Sequence, residues 1–306
     1  MKPLLNKKYY LPVDITPYVG YLFVILSLMT GSLKPVLIQM GLLNKSLSVF
    51  SLTVIVAILT ALIVILLKKP DFQKKHIDLE VILAGVLLLL NGFFTIIAIK
   101  YSSVIMVAAI IATTPLIIGL HQSFIDKKTI SVRFVIGFFI AFTGVLLVIR
   151  FSGVEQLFMN LTGVFFAFAA VLCSDIYRIL LQKLTVKISS SIVSNYVLLV
   201  GGVVCFFLML FNIDVVMAIS PSGWIILIVI SLCAMFANLF FVKAIKEIGA
   251  VYTSTIYITK PAVILFLAMI FLMEKASIIQ VAGIFIMMCG VFITEAKTKC
   301  PQSRAE

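Results

Sequence analysis

A lysine stands at position 260 in a stretch that is otherwise uncharged from 250 to 273, with Tyr257 three residues before it and Thr253 seven before it. Those spacings place all three on one helix face. An ammonium in the middle of so apolar a helix costs about 2.5–3.5 kcal/mol on insertion scales, so it belongs against a cavity or a partner. Its chemistry would be that of a positive anchor for a carboxylate or phosphate, with Tyr257 stacking on the solute or donating a hydrogen bond. The bland alternative is a fixed ion pair with a carboxylate on another helix. Asp175 and Arg178, spaced i,i+3, are a second candidate pair. They can neutralise each other, or serve coupling and gating, Asp175 by carrying a proton or by holding Lys260 until an anionic solute arrives. Lys34 either joins that cavity or snorkels to the interface, the second being the expectation. Asn91 and Asn238 can offer hydrogen bonds to a solute or tie helices together. Pro115 and Pro261 each leave a carbonyl unbonded one turn earlier and can kink their helices.

These side chains are carried on elements made for lipid. Of 306 residues, 63% are hydrophobic and 12% charged, and the mean hydropathy is +1.25. A soluble domain has too few interior positions to hide such a composition. Residues 46–67, 81–99, 188–213, 215–242 and 276–294 contain no Asp, Glu, Lys or Arg, and roughly 20 apolar residues suffice to cross the hydrocarbon layer. Barrel-type alternation is absent, so the backbone must satisfy itself in helices. The expected spans are 18–38, 46–67, 79–99, 103–124, 131–150, 161–182, 192–212, 221–241, 250–273 and 277–295, an all-α integral membrane fold of ten transmembrane helices. The first apolar run reads as an uncleaved helix rather than a signal peptide, and no soluble domain is expected.

The net charge of +12 is a topology signal. With a cytoplasmic N-terminus, seventeen basic residues fall in the two tails and the cytoplasmic turns, against Lys45, Lys100, Arg150 and Lys275 on the other side. This positive-inside bias puts both termini in the cytoplasm. The five cysteines form no CxxC or Cys/His cluster, so no metal and no cofactor is expected.

The chain also repeats itself. Shifted by 146 residues, 94–149 falls without a gap on 240–295: Ala98-Ile99-Lys100 on Ala244-Ile245-Lys246, Pro115 on Pro261, Gly137 on Gly283 and Gly144-Val145 on Gly290-Val291. A shift of 143 sets Gly20 on Gly163 and Gln39 on Gln182. The counterpart of Lys260 is Thr114, so the repeat does not itself demand a cation there. Five helices per repeat is an odd number, which makes the halves 18–150 and 161–295 inverted, flanked by tails 1–17 and 296–306.

On these residues the chain resembles the EamA domain of the drug/metabolite transporter superfamily. Ile258-Thr259-Lys260-Pro261-Ala262-Val263, followed by Phe271-Leu272-Met273-Glu274-Lys275, is similar to that family's Pro-centred ninth helix and its terminal Glu. The run from Val281-Ala282-Gly283 to Cys289-Gly290-Val291 resembles its tenth helix, and Thr114-Pro115 with Gly137 and Gly144-Val145 repeats the pair. The resemblance implies two five-helix repeats moving a small-molecule substrate by alternating access, with a proton or an exchanged solute as coupling partner. Lys260 departs from the family pattern, which is more often acidic or neutral there, and so argues against a cationic substrate.

No nucleophile elbow, HExxH, phosphate loop or filter-like segment points to an enzyme or a channel. The expectation is therefore a non-enzymatic, multi-pass transporter of the cell inner membrane. Its solute is an amino acid, or an amino-acid- or nucleoside-derived metabolite, carrying a carboxylate. The alternatives are an exporter of apolar or cationic drugs, or an exchanger of phosphorylated metabolites. One central lysine favours a carboxylate, since a phosphate would want two cations.

Overall fold

A computed structural model describes residues 16–43, 47–68, 78–111, 113, 114, 116, 132–148, 154–211, 219–273 and 277–295. Pro115, Glu274, Lys275, much of span 103–124 and both tails lie outside the described residues. The elements are helical throughout: α1 (Thr16–Leu43), α2 (Val49–Lys68), α3 (Leu79–Tyr101), α4 (Val104–Ile111), α5 (Val132–Val148), α6 (Val154–Lys187), α7 (Ser190–Leu210), α8 (Pro221–Tyr257), α9 (Lys260–Phe271) and α10 (Ile278–Glu295). Among the described residues, six helices (α1, α2, α3, α6, α7 and α8) are long and apolar enough to cross a membrane, and α5, α9 and α10 are shorter apolar helices. Large side chains face outward along them, Phe139, Phe165, Phe266, Phe285 and Phe292 all being more than half exposed. That inverts the pattern of a soluble protein and suits a lipid-facing surface.

Two spans differ from the expectation. Hydropathy places the eighth and ninth at 221–241 and 250–273. Instead α8 runs from Pro221 to Tyr257 with a break at Gly249 (φ 82, ψ 163), a conformation that only glycine adopts cheaply. The helix then stops and restarts as α9 at Lys260, with Thr259 as its N-cap. Pro261 explains the stop: it has no N–H to give the carbonyl of Tyr257, and its ring would collide with it. The ends of α1 and α6 also run past the apolar spans 18–38 and 161–182, because helical hydrogen bonding continues into polar residues that hydropathy excludes.

Packing follows the repeat. α1 lies along α8 as α6 lies along α3, while α2 packs on α7, α4 on α9 and α5 on α10. The α5–α10 contact is close because glycine has no side chain. A Cβ on Gly144 would stand 2.6 Å from the Gly283 carbonyl oxygen, and one on Gly290 would stand 2.7 Å from that of Gly137. Each would also collide with the partner backbone, at Met287 N and Ala141 N respectively. A shift of 146 residues converts each of these contacts into the other.

Candidate functional site

Where α1, α3, α4, α6, α8 and α9 converge, a cavity of about 40 Å³ is lined by Pro35, Thr95, Thr114, Arg178, Tyr257 and Lys260, among others. Thr114 and Lys260, counterparts in the repeat, thus face one space. A larger cavity of about 100 Å³ adjoins it through α1, lined by Lys34 and Asn238 and otherwise mainly by apolar side chains such as Leu52, Val56, Ile96 and Ile230.

Lys260 opens α9, so its backbone sits at a positive helix end and its side chain adds a full charge. Its ammonium lies against Gly31 on α1, where a Cβ would stand in ordinary contact 3.5 Å from Lys260 Nζ. Pro35, inside α1, also leaves the Gly31 carbonyl without its helical donor. The ammonium lies 5.4 Å from the centre of the Tyr257 ring. Arg178 reaches the same ring at 5.8 Å and the Phe241 ring at 5.1 Å. Cation–ring contacts of this kind contribute about 0.5–2 kcal/mol, more as water is excluded. The Tyr257 hydroxyl bonds Ser27 on α1, whose own hydroxyl donates to the Ala237 carbonyl at 2.7 Å. Tyr257 is therefore fixed by hydrogen bonding at its tip while two cations approach its ring.

The other candidates divide. Asp175 is 3% exposed, and neither carboxylate oxygen has a hydrogen-bond partner among the described residues. The charge acting on it is that of Arg178, one turn away. Lys34 lines the larger cavity instead of running out to the interface, so the snorkelling expectation gives way; α1 extends to Leu43, and position 34 is well inside it. Asn238 accepts from the Tyr177 hydroxyl (2.6 Å) and donates to Ser194 Oγ (3.0 Å), joining α6, α7 and α8 at the cavity wall. Asn91 donates to the Ala170 carbonyl at 2.8 Å and ties α3 to α6. Thr253 is fully buried and donates to the Gly249 carbonyl at 2.8 Å, closing the turn after the break. Sequence reasoning misses Ser27, Tyr177 and Phe241. Ser27 is the visible one, a hydroxyl in an otherwise charge-free stretch of α1; an aromatic among so many apolar neighbours gives no such signal.

Both interruptions use the same bonds. Thr113 donates through its hydroxyl to the Ile110 carbonyl at 2.7 Å, and its counterpart Thr259 donates to the Ile256 carbonyl at 2.8 Å. The backbone turn after each is also shared, Leu116 N–H to Thr113 and Ala262 N–H to Thr259.

Comparison with known proteins agrees with this architecture. An uncharacterized transporter of Clostridium kluyveri is 22% identical over 293 residues, covering 92% of this chain and 94% of the relative. The uncharacterized transporter YyaM of Bacillus subtilis is 24% identical over 241 residues, covering 77% and 78%. A protein crystal structure aligns with a TM-score of 0.62 over 91% of this chain and 96% of its own, at 13% identity, a likeness of fold. Residues 18–150 and 161–295 each match the EamA-like transporter family. With apolar helices around buried cavities and a family match over nearly its whole length, this multi-pass membrane protein belongs to the EamA-like transporter family.

Proposed function

We propose that the chain is a secondary active transporter that moves a small organic metabolite bearing a carboxylate, with Lys260 as the anion anchor. Amino acids and amino-acid- or nucleoside-derived acids fit this description. The observation that carries the reading is Lys260 itself, a cation at a helix start that lines a buried cavity together with Tyr257 and Thr114. Ten spans arranged as two inverted repeats, with both termini cytoplasmic in a cell inner membrane, complete the proposal. Its support is the reciprocal glycine contact of α5 with α10 and the doubled interruption. Inverted halves can exchange packings, which is what alternating access requires. Asn238, Asn91 and Thr253 then shape the walls. Asp175, buried without a hydrogen-bond donor among the described residues, is the coupling group: an ionised carboxylate so placed is costly unless it takes a proton or a cation partner.

The test is flux of labelled anionic, zwitterionic and cationic metabolites into proteoliposomes, for wild type and Lys260→Ala. Movement of an acid that stops in the variant is expected. Movement of a cation, indifferent to the substitution, would sink the reading.

A further inference from the structure

Of the 24 basic residues, 21 lie at or beyond the ends of the expected apolar spans, and the remaining three are Lys34, Arg178 and Lys260. The structure gathers those three. Arg178 and Lys260 line one cavity and approach one tyrosine ring. Lys34 lines the adjoining cavity, next to Pro35 of the smaller one, and both its charge and that of Arg178 act on Lys260. The acid that belongs to this group, among the described residues, is Asp175. Lys260 and Arg178 thus present two cations to one small space, with Asp175 one turn from Arg178. A solute head with two negative charges matches two cations facing one cavity better than a monoanion does. The smaller cavity has room for one compact group rather than two separate anions.

We infer that the transported solute is a dianion, with two negative charges on one compact head held by Lys260 and Arg178 and an apolar body in the larger cavity. Arg178 thereby becomes a specificity-determining residue that reads the second charge. Its planar guanidinium suits a bidentate carboxylate or phosphate, and Lys260 supplies the point charge. Lys34 sets the potential at the junction of the cavities. The inference rests on the anion-transport reading above and adds the charge of the solute.

The experiment uses the full chain in proteoliposomes at about pH 8, where a phosphate monoester has lost its second proton. Uptake is compared within two labelled pairs that differ by one charge: a short alkyl phosphate and its methyl diester, and an alkylmalonate and its monoamide. At least one dianion is expected to saturate transport at about a tenfold lower concentration than its monoanionic partner. The pair that shows the preference identifies the headgroup as phosphate or dicarboxylate. Arg178→Gln should lower dianion uptake far more than monoanion uptake and so remove the preference, and Arg178→Lys should retain most of it. Equal handling of both members of each pair by the wild type overturns the dianion and leaves the anchor standing, provided Lys260→Ala still stops the monoanion. If none of the four compounds moves, the dianion is overturned whatever else the protein carries. If cations or neutral solutes move instead, the anchor falls with it. Because the decisive comparison is made on the wild type, a variant that fails to fold does not blur the result.

Discussion

At Thr113 and at Thr259 the chain interrupts a helix in the same way. A threonine hydroxyl returns to a carbonyl three residues back, the next turn closes on the threonine's own carbonyl, and a proline follows two positions on. The two sites differ at the residue between threonine and proline. In the first half it is Thr114, 1% exposed, its hydroxyl closed on the Ile111 carbonyl at 2.5 Å. In the second half it is Lys260, whose ammonium extends to Gly31 and Tyr257. One backbone device thus serves two ends: in the first half it satisfies itself, in the second it presents charge to a cavity that both line. The contrast amounts to a division of labour, with an architecture built by repetition and a chemistry placed by departure from it.

The sharpest way to break this contrast is to erase the departure. Lys260→Thr makes the second interruption a copy of the first. If the charge is the function, acid uptake should fall by about 10- to 100-fold, the scale of one lost charge-assisted contact. Thermal stability should hold or rise, since a desolvated cation has been removed. Placing Thr114→Lys on that background returns a cation to the same cavity from the opposite wall, and part of the uptake should return. Uptake as in the wild type for Lys260→Thr alone would show that the difference between the halves is decoration.

The repetition itself is tested at the α5–α10 contact. Gly144→Ala and Gly290→Ala each drive a methyl into partner backbone. Overpacking of this kind costs about 1–3 kcal/mol, and the two should cost alike because the contacts are counterparts. Unfolding of the purified protein in mild detergent reads this directly. A large cost at one glycine and none at the other would contradict the equivalence on which the inverted-repeat proposal leans.

Much of this is legible in the amino-acid sequence, and the reasons are specific. Lys260 is conspicuous because charge is so rare inside an apolar run, and Gly137, Gly144, Gly283 and Gly290 because they recur in register. Position along a helix is another matter. Hydropathy ends the first helix at 38 and so sends Lys34 to the interface, whereas hydrogen bonding carries α1 to Leu43 and leaves Lys34 on a cavity wall. Thr253 shares a face with Lys260 by spacing alone, but the break at Gly249 draws its hydroxyl back to that glycine's carbonyl. The meeting of Arg178 with Lys260 is not legible either. Nothing in a periodicity says which helices of a bundle are neighbours, and that meeting turns a one-charge anchor into a candidate dianion site.

The smallest expected effect probes the shared device most directly. In Thr113→Val or Thr259→Val the hydroxyl bond to Ile110 or Ile256 is lost, but each carbonyl keeps the backbone N–H of residue 113 or 259, at 3.0 and 3.1 Å. The carbonyls are therefore never orphaned, and the loss should be near the average for a side-chain hydrogen bond inside a membrane protein, about 0.6 kcal/mol. Thr113 is buried while Thr259 is exposed, so the first substitution should cost the larger share of a small number. Uptake should separate the two in the opposite sense. The Thr259 hydroxyl holds the turn that leads into the helix beginning with the lysine, and loosening that turn displaces the charge, whereas loosening the Thr113 turn shifts only a hydroxyl. A variant pair in which Thr113→Val is the more stable and the less active would reverse both orders and show that the first interruption, not the second, positions the solute.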